Sequence, residues 1–224
     1  MPILKETVFG GPEVGVYFAL NNHYFIHPPT ITPRIIEFVK TIHPDMRAIE
    51  TFIAGSAVVG SFIAMNNKGM VVPSIIHDDE LEILRQNLDK NFPITTIESE
   101  NNAFGNLILC NDFGAIISPK LEKLKDIIQT ALQVPVKVME FANSELAGSC
   151  GIANNHGVIV HPMITENEAI IISEVLKVDI DVSTINCGQP YLGGGVIAND
   201  YGAVFGRKTT GPEIQRIMEI LELE

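Results

Sequence analysis

The sequence predicts an α/β protein whose five similar units close into a ring, a five-fold pseudosymmetric α/β propeller forming a single domain over residues 1–224. Three observations carry this expectation. A glycine leading a short apolar run stands at positions 15, 60, 105, 148 and 193. An asparagine closing that run stands at 21, 66, 111, 154 and 199. Both series advance by 45, 45, 43 and 45 residues, so five repeats of about 45 residues fill the chain in register. Third, the two ends complement each other. The fifth copy ends in a helical pattern running to Leu223 with no strand after it, and the first copy opens on a strand, Leu4–Phe9, that follows no helix. An N-terminal strand completing the C-terminal unit favours a closed ring. An open stack would need polar caps and would leave a sheet edge bare.

Each copy justifies its own elements. The stretch from Gly to Asn is short, apolar and partly β-branched, as a buried strand requires. Asn-[Asn/Asp]-x-Gly then supplies a turn, since Asn and Asp tolerate left-handed backbone and Gly adopts positive φ without steric cost. A second apolar strand follows, as in Val158-Ile159-Val160, and a proline stops it. Helix signals come next: Thr165 with Glu168 and Thr210 with Glu213 fit capping boxes, and Thr32 before Pro33 fits an N-cap with proline at the first helical position. Asp78, Asp79 and Glu80 put negative charge at a helix N-terminus. Ile214, Ile217, Met218 and Leu221 recur at helical spacing. A further strand leads to the next glycine, as in Arg47–Ile53 or Val136–Phe141.

Composition bounds the function. With 46% hydrophobic and 19% charged residues the chain is not disordered. A net charge of −12, from 15 Lys+Arg against 27 Asp+Glu, argues against broad binding to a nucleic-acid backbone. Docking on a basic protein, or on a ribosome through a local patch, remains open. The longest charge-free apolar run, Phe52 to Met65, is 14 residues interrupted by Gly55, Ser56, Gly60 and Ser61, too short to span a bilayer. No basic segment followed by an apolar stretch opens the chain, and Cys110, Cys150 and Cys187 form no CxxC pair, which points to a reducing, cytoplasmic setting without a zinc site.

Several segments are more specific than any single motif. They are Phe52-Ile-Ala-Gly-Ser56, Gly69-Met-Val-Val-Pro73, Glu80-Leu-Glu-Ile83, Asn102-Ala-Phe-Gly-Asn106, Gly157-Val-Ile-Val-His161-Pro162 and Thr209-Thr-Gly-Pro-Glu213. Together, over essentially the full length, they resemble the archaeal translation initiation factor 6 family, the ribosome anti-association factors shared with eukaryotes. The resemblance implies the pentein fold, and binding without chemistry or cofactor. Members occupy the intersubunit face of the large ribosomal subunit, chiefly on ribosomal protein uL14 and near the sarcin–ricin loop. There they block the small subunit, and in eukaryotes they accompany maturation of the large one. It also implies a monomer of archaeal type, without the eukaryotic C-terminal tail, and without a membrane partner. The Gly-Asn pair opening the third repeat, Gly105-Asn106, is the expected contact, with Asn66, Asn67, Lys68 and Met70 of the neighbouring repeat as a second set.

Two rival expectations stand beside it. Guanidine-modifying enzymes share the ring and use a Cys nucleophile, a His and carboxylates matching the planar cation. Cys187 with His161 would be that pairing. However, His161 precedes Pro162 as His27 precedes Pro28 and Ser118 precedes Pro119, a scaffold position repeated around the chain. The other rival is a general scaffold that binds a different protein through the ring face. Gly193-Gly-Gly195 lacks the following Lys and Ser/Thr of a phosphate loop, and its place in the repeat points to close backbone approach near a central channel.

Overall fold

A computed structural model describes residues 2–43 and 45–223. The chain opens with β1 (Ile3–Glu6) and then runs five times through one pattern. A one-turn helix leads into an inner strand, the chain reverses at an asparagine, and a middle strand follows. A peripheral helix then crosses over to an outer strand. Unit 1 has a 3-10 turn (Val14–Val16), β2 (Ala19–Leu20), β3 (Tyr24–His27), α1 (Pro33–Ile42) and β4 (Arg47–Glu50). Unit 2 has α2 (Val59–Phe62), β5 (Ala64–Met65), β6 (Met70–Pro73), α3 (Asp78–Asn87) and β7 (Ile94–Ile97). Unit 3 has α4 (Phe104–Leu107), β8 (Ile108–Cys110), β9 (Ala115–Ile117), a 3-10 segment (Pro119–Leu124), α5 (Lys125–Leu132) and β10 (Val136–Val138). Unit 4 has α6 (Ala147–Cys150), β11 (Gly151–Ala153), β12 (Gly157–Val160), α7 (Glu166–Leu176) and β13 (Asp179–Val182). Unit 5 has α8 (Leu192–Gly195), β14 (Val196–Ala198), β15 (Ala203–Gly206) and α9 (Gly211–Ile220).

The result is five three-stranded sheets. In units 1 to 4 the middle strand pairs antiparallel with the inner one and parallel with the outer one. Unit 5 has no outer strand of its own, and β1 fills the place, pairing parallel with β15 from Ile3↔Ala203 to Glu6↔Gly206. The expected ring closure is therefore present.

All five middle strands are buried at every residue, because helices cover one side and the inner strands turn toward the axis on the other. The helices bury one stripe each: Ile35 and Val39 of α1, Leu81 and Leu84 of α3, Ile128 and Leu132 of α5, Ile172 and Leu176 of α7, Ile217 of α9. The capping expectations hold for α7, where the Thr165 N–H donates to Glu168 Oε2 at 2.8 Å and Thr165 Oγ1 accepts from the Glu168 N–H. Thr32 is the N-cap of α1 with Pro33 at the first position, but its hydroxyl makes no capping bond.

Three expectations need correction. The outer strands stop before their turns, at Glu6, Glu50 and Val138 rather than at Phe9, Ile53 and Phe141, because the chain leaves the ladder to enter tight turns with left-handed residues such as Phe9 and Ala54. The repeated glycines do not open strands but lie in the one-turn helices or their 3-10 counterpart. Finally, Gly69, Gly114, Gly157 and Gly202 of the asparagine turns do not have positive φ. A Cβ at each would strike a backbone carbonyl: Ala131, Val175, Ile220 and Pro2 respectively. Glycine is needed there because a helix end, or the N-terminal segment, packs directly on the turn.

Candidate partner-binding site

Two rings of residues define the ends of the central axis. At one end the five leading glycines touch in sequence. A Cβ on Gly60 would meet the Gly15 carbonyl, one on Gly105 the Gly60 carbonyl, one on Gly148 that of Gly105, one on Gly193 that of Gly148, and one on Gly15 that of Gly193. The circle closes across the chain ends. Between this end and the other runs a channel of about 110 Å³, lined by the glycines and inner strands, and none of its lining side chains is charged.

At the other end the five turn asparagines hand a hydrogen bond around the axis. The side-chain amide of Asn21 donates to the Asn66 carbonyl (2.8 Å), Asn66 to Asn111 (3.0 Å), Asn111 to Asn154 (3.1 Å), Asn154 to Asn199 (3.2 Å) and Asn199 to Asn21 (3.0 Å). Each Oδ1 accepts the N–H groups two and three residues on, as in Asn111 with Phe113 and Gly114. Asn66, Asn111 and Asn154 also donate to a helix-end carbonyl, Leu132, Leu176 and Leu221. A second circle lies on top, in which the backbone N–H of Asn22, Asn67, Asp112, Asn155 and Asp200 donates to the next side chain in turn. Asn155 bridges both carboxylates, at 2.8 Å to Asp112 and 2.7 Å to Asp200. The same periodicity that marks the first ring places Asn or Asp at the next position in every copy, yet that signal reads as turn chemistry alone.

The six expected contact residues divide between these ends. Gly105 and Asn106 lie in α4, at the glycine end. Asn106 is half-buried, and among the described residues its side chain makes no hydrogen bond. On the same circle of one-turn helices, the residues preceding α6 and α8, Leu146 and Tyr191, are exposed apolar side chains. Asn66, Asn67 and Lys68 lie at the opposite end, so the structure does not bring the two sets together. Asn66 is buried and fully engaged in the ring, which corrects its assignment as a contact. Met70 is corrected too, being fully buried in the unit 2 core of β6. Asn67 is half-buried and bonded to Asp112. Lys68 is exposed, with its Nζ on the Asp112 carbonyl at 2.7 Å.

Cys187 and His161 are engaged separately. The Cys187 N–H donates to Glu213, whereas His161 Nδ1 accepts from the Met163 N–H at 3.1 Å. Burial lowers the pKa of both His161 and His27, keeping them neutral near pH 7. In the channel wall the Cys110 thiol is pushed up to about 12 by burial, with Asp112 adding to the shift, so it is not a thiolate. Burial raises Cys150 as well, against a lowering bond from Ser144. Among the described residues no group of three or more His, Cys, Asp or Glu could hold a metal, and no helix is long and apolar enough to cross a membrane.

The turns at the glycine end are pinned by carboxylates from the helices. Glu80 accepts the Ala54 and Gly55 N–H groups at 2.7 Å each. Glu213 accepts the N–H groups of Thr210, Gly188 and Cys187 and the hydroxyls of Thr184 and Thr210. Burial would raise its pKa, but these donors outweigh it and hold it at about 2.

This geometry defines a class: five strand–helix units around a channel make the molecule a pentein. Among solved structures it is similar to a dimethylarginine dimethylaminohydrolase variant in adduct with S-methyl-L-thiocitrulline. That likeness (TM-score 0.50, 14% identity, 75% of this chain and 68% of the other) concerns the fold alone. Sequence is more specific. The family model described as eIF-6 family matches residues 3–220. Translation initiation factor 6 of Staphylothermus marinus is 35% identical over 220 residues, covering 97% of this chain and 96% of the relative. That of Methanocaldococcus jannaschii is 34% identical, with 99% and 98% covered. Eukaryotic translation initiation factor 6 of Encephalitozoon cuniculi is 35% identical over 215 residues, with 96% and 89% covered. The chain belongs to the eIF-6 family.

Proposed function

We propose that the chain is a ribosome anti-association factor, acting as a monomer in the cytoplasm. It binds the intersubunit face of the large ribosomal subunit, chiefly on ribosomal protein uL14 and near the sarcin–ricin loop, and keeps the small subunit away by occupying that face. It also accompanies maturation of the large subunit. The observation that carries the docking site is Asn106, a half-buried amide without a hydrogen-bond partner among the described residues, at the end of the ring where the circle itself closes by backbone packing. Leu146 and Tyr191, which precede α6 and α8 on the same circle of one-turn helices, add exposed apolar area at that end. A ring closed by backbone contacts loses little entropy on docking, which favours binding through a modest patch.

The proposal needs no cofactor and no reaction. Guanidine chemistry would need carboxylates matching the planar cation, and none of the side chains lining the channel is charged. The test mixes cognate large and small subunits at association-permitting magnesium, with and without the protein, on a sucrose gradient. Fewer joined particles, with the protein travelling with the large subunit, is the expected result. Unchanged joining with the protein at the top of the gradient overturns it, and equal travel with both subunits leaves only a general scaffold.

A further inference from the structure

The five-fold pattern is broken covalently at one place. In units 1 to 4 a short connection ties the peripheral helix to its outer strand, but in unit 5 the helix α9 and the strand β1 belong to opposite ends of the chain. We infer that β1 is a detachable strap, which leaves the edge of β15 while the ring itself stays shut.

What holds β1 is four residues of parallel pairing, the buried Leu4 and Glu6, Ile3 packed on the unit 5 core, a bond of 2.6 Å from Lys5 Nζ to the Thr209 carbonyl, and an ion pair between Glu6 and the exposed Arg34 at 3.4 Å. An ion pair with an exposed partner adds little. On its α9 side the strand borders an open groove of about 1170 Å³ lined by Ile3, Lys5, Ile214, Met218 and Leu223, so solvent reaches that side of the strand.

Ring closure between units 5 and 1 runs only in part through β1, by its pairing with β15 and by Leu4 in the core that Phe25 and Ile35 share with Val204. The rest is independent of it: the contact of Gly15 with the Gly193 carbonyl, the Asn199 amide on Asn21 and the Asp200 N–H on Asn22. Losing the strap therefore costs only its own contacts, the condition for local rather than global opening. Release frees the β15 edge from Ala203 to Gly206, including the Ala203 N–H that donates to Pro2 at 2.9 Å. A bare edge of this kind can accept an added strand.

Hydrogen exchange followed by mass spectrometry on the full chain tests this. Amides of residues 3–6 are expected to exchange at least tenfold faster than those of β4 and β13, outer strands paired in the same parallel way but tethered to their helices. Leu4→Ala should speed the peptide over β1 further and leave those over β12 and β13 unchanged. The inference is overturned if β1 exchanges as slowly as β13, or if Leu4→Ala speeds all five sheets together.

Discussion

The two ends of the channel solve the same closure problem with opposite chemistry. At the glycine end, backbone meets backbone, and closure depends on the absence of five side chains. At the asparagine end, closure depends on their presence, since each amide satisfies its own turn and its neighbour at once. The difference bears on function. Side chains of the asparagine end are spent on one another, so substitutions there act on stability. The glycine end makes no demand on the side chain of Asn106, the residue next to Gly105, which is free to face a partner.

The largest effect should come from breaking the glycine circle. Gly105→Ala drives a methyl into the Gly60 and Ile63 carbonyls, and thermal unfolding should show a loss of about 4 kcal/mol, roughly 10 °C in Tm. The control is Gly211→Ala, where a Cβ meets nothing within 4 Å and the change should stay within about 0.5 kcal/mol. Equal losses at both positions would remove close approach as the reason for glycine at the axis.

On the other ring, Asn111→Ala deletes bonds to Asn154, Leu176, Phe113 and Gly114 and strands buried backbone groups. A loss of about 3 kcal/mol is expected in denaturant titration. Asn67→Ala, in the partly exposed second ring, should cost about 1 kcal/mol by the same measurement.

Glu213 tests the glycine end by pH. Its folded pKa of about 2 lies below the ordinary value of 4.5, so its contribution is complete above pH 4.5 and is lost as pH falls from there through 2. Glu213→Gln should remove about 2 kcal/mol at pH 7 and flatten the acid limb of the stability curve; an unchanged limb would dissociate the carboxylate from the turn it holds. The smallest effect on folding is expected from Asn106→Ser, within about 0.5 kcal/mol. Its effect belongs to binding: co-sedimentation with the large subunit should weaken several-fold, and undiminished binding would exclude Asn106 from the interface.

Much of this was legible beforehand, and for a physical reason. Turn chemistry and strand–helix alternation are local and recur every 43 to 45 residues, so Asn21 and its four counterparts announce the repeat without coordinates. Glu168 and Glu213 three residues after a threonine announce helix starts in the same way. What failed was anything whose cause lies in a neighbouring unit. Gly69 reads as a left-handed turn residue, but the carbonyl that excludes a side chain belongs to Ala131, sixty-two residues on. Met70 reads as an expected contact beside that turn, yet it is the first residue of a strand buried on both faces.

The order of elements, the number of units and the pairing of the N-terminal strand with the last unit all follow from periodicity and from the unmatched ends of the chain. These are properties of the string itself. Which residues line the axis, which amides are spent on closure and, among the described residues, which one is left without an internal partner depend on contacts between positions 43 or more residues apart. Hydrogen-bond satisfaction is settled only once those positions meet in space, and so Asn66, a second-set candidate, became a ring member while Asn106, of the first set, became a surface group.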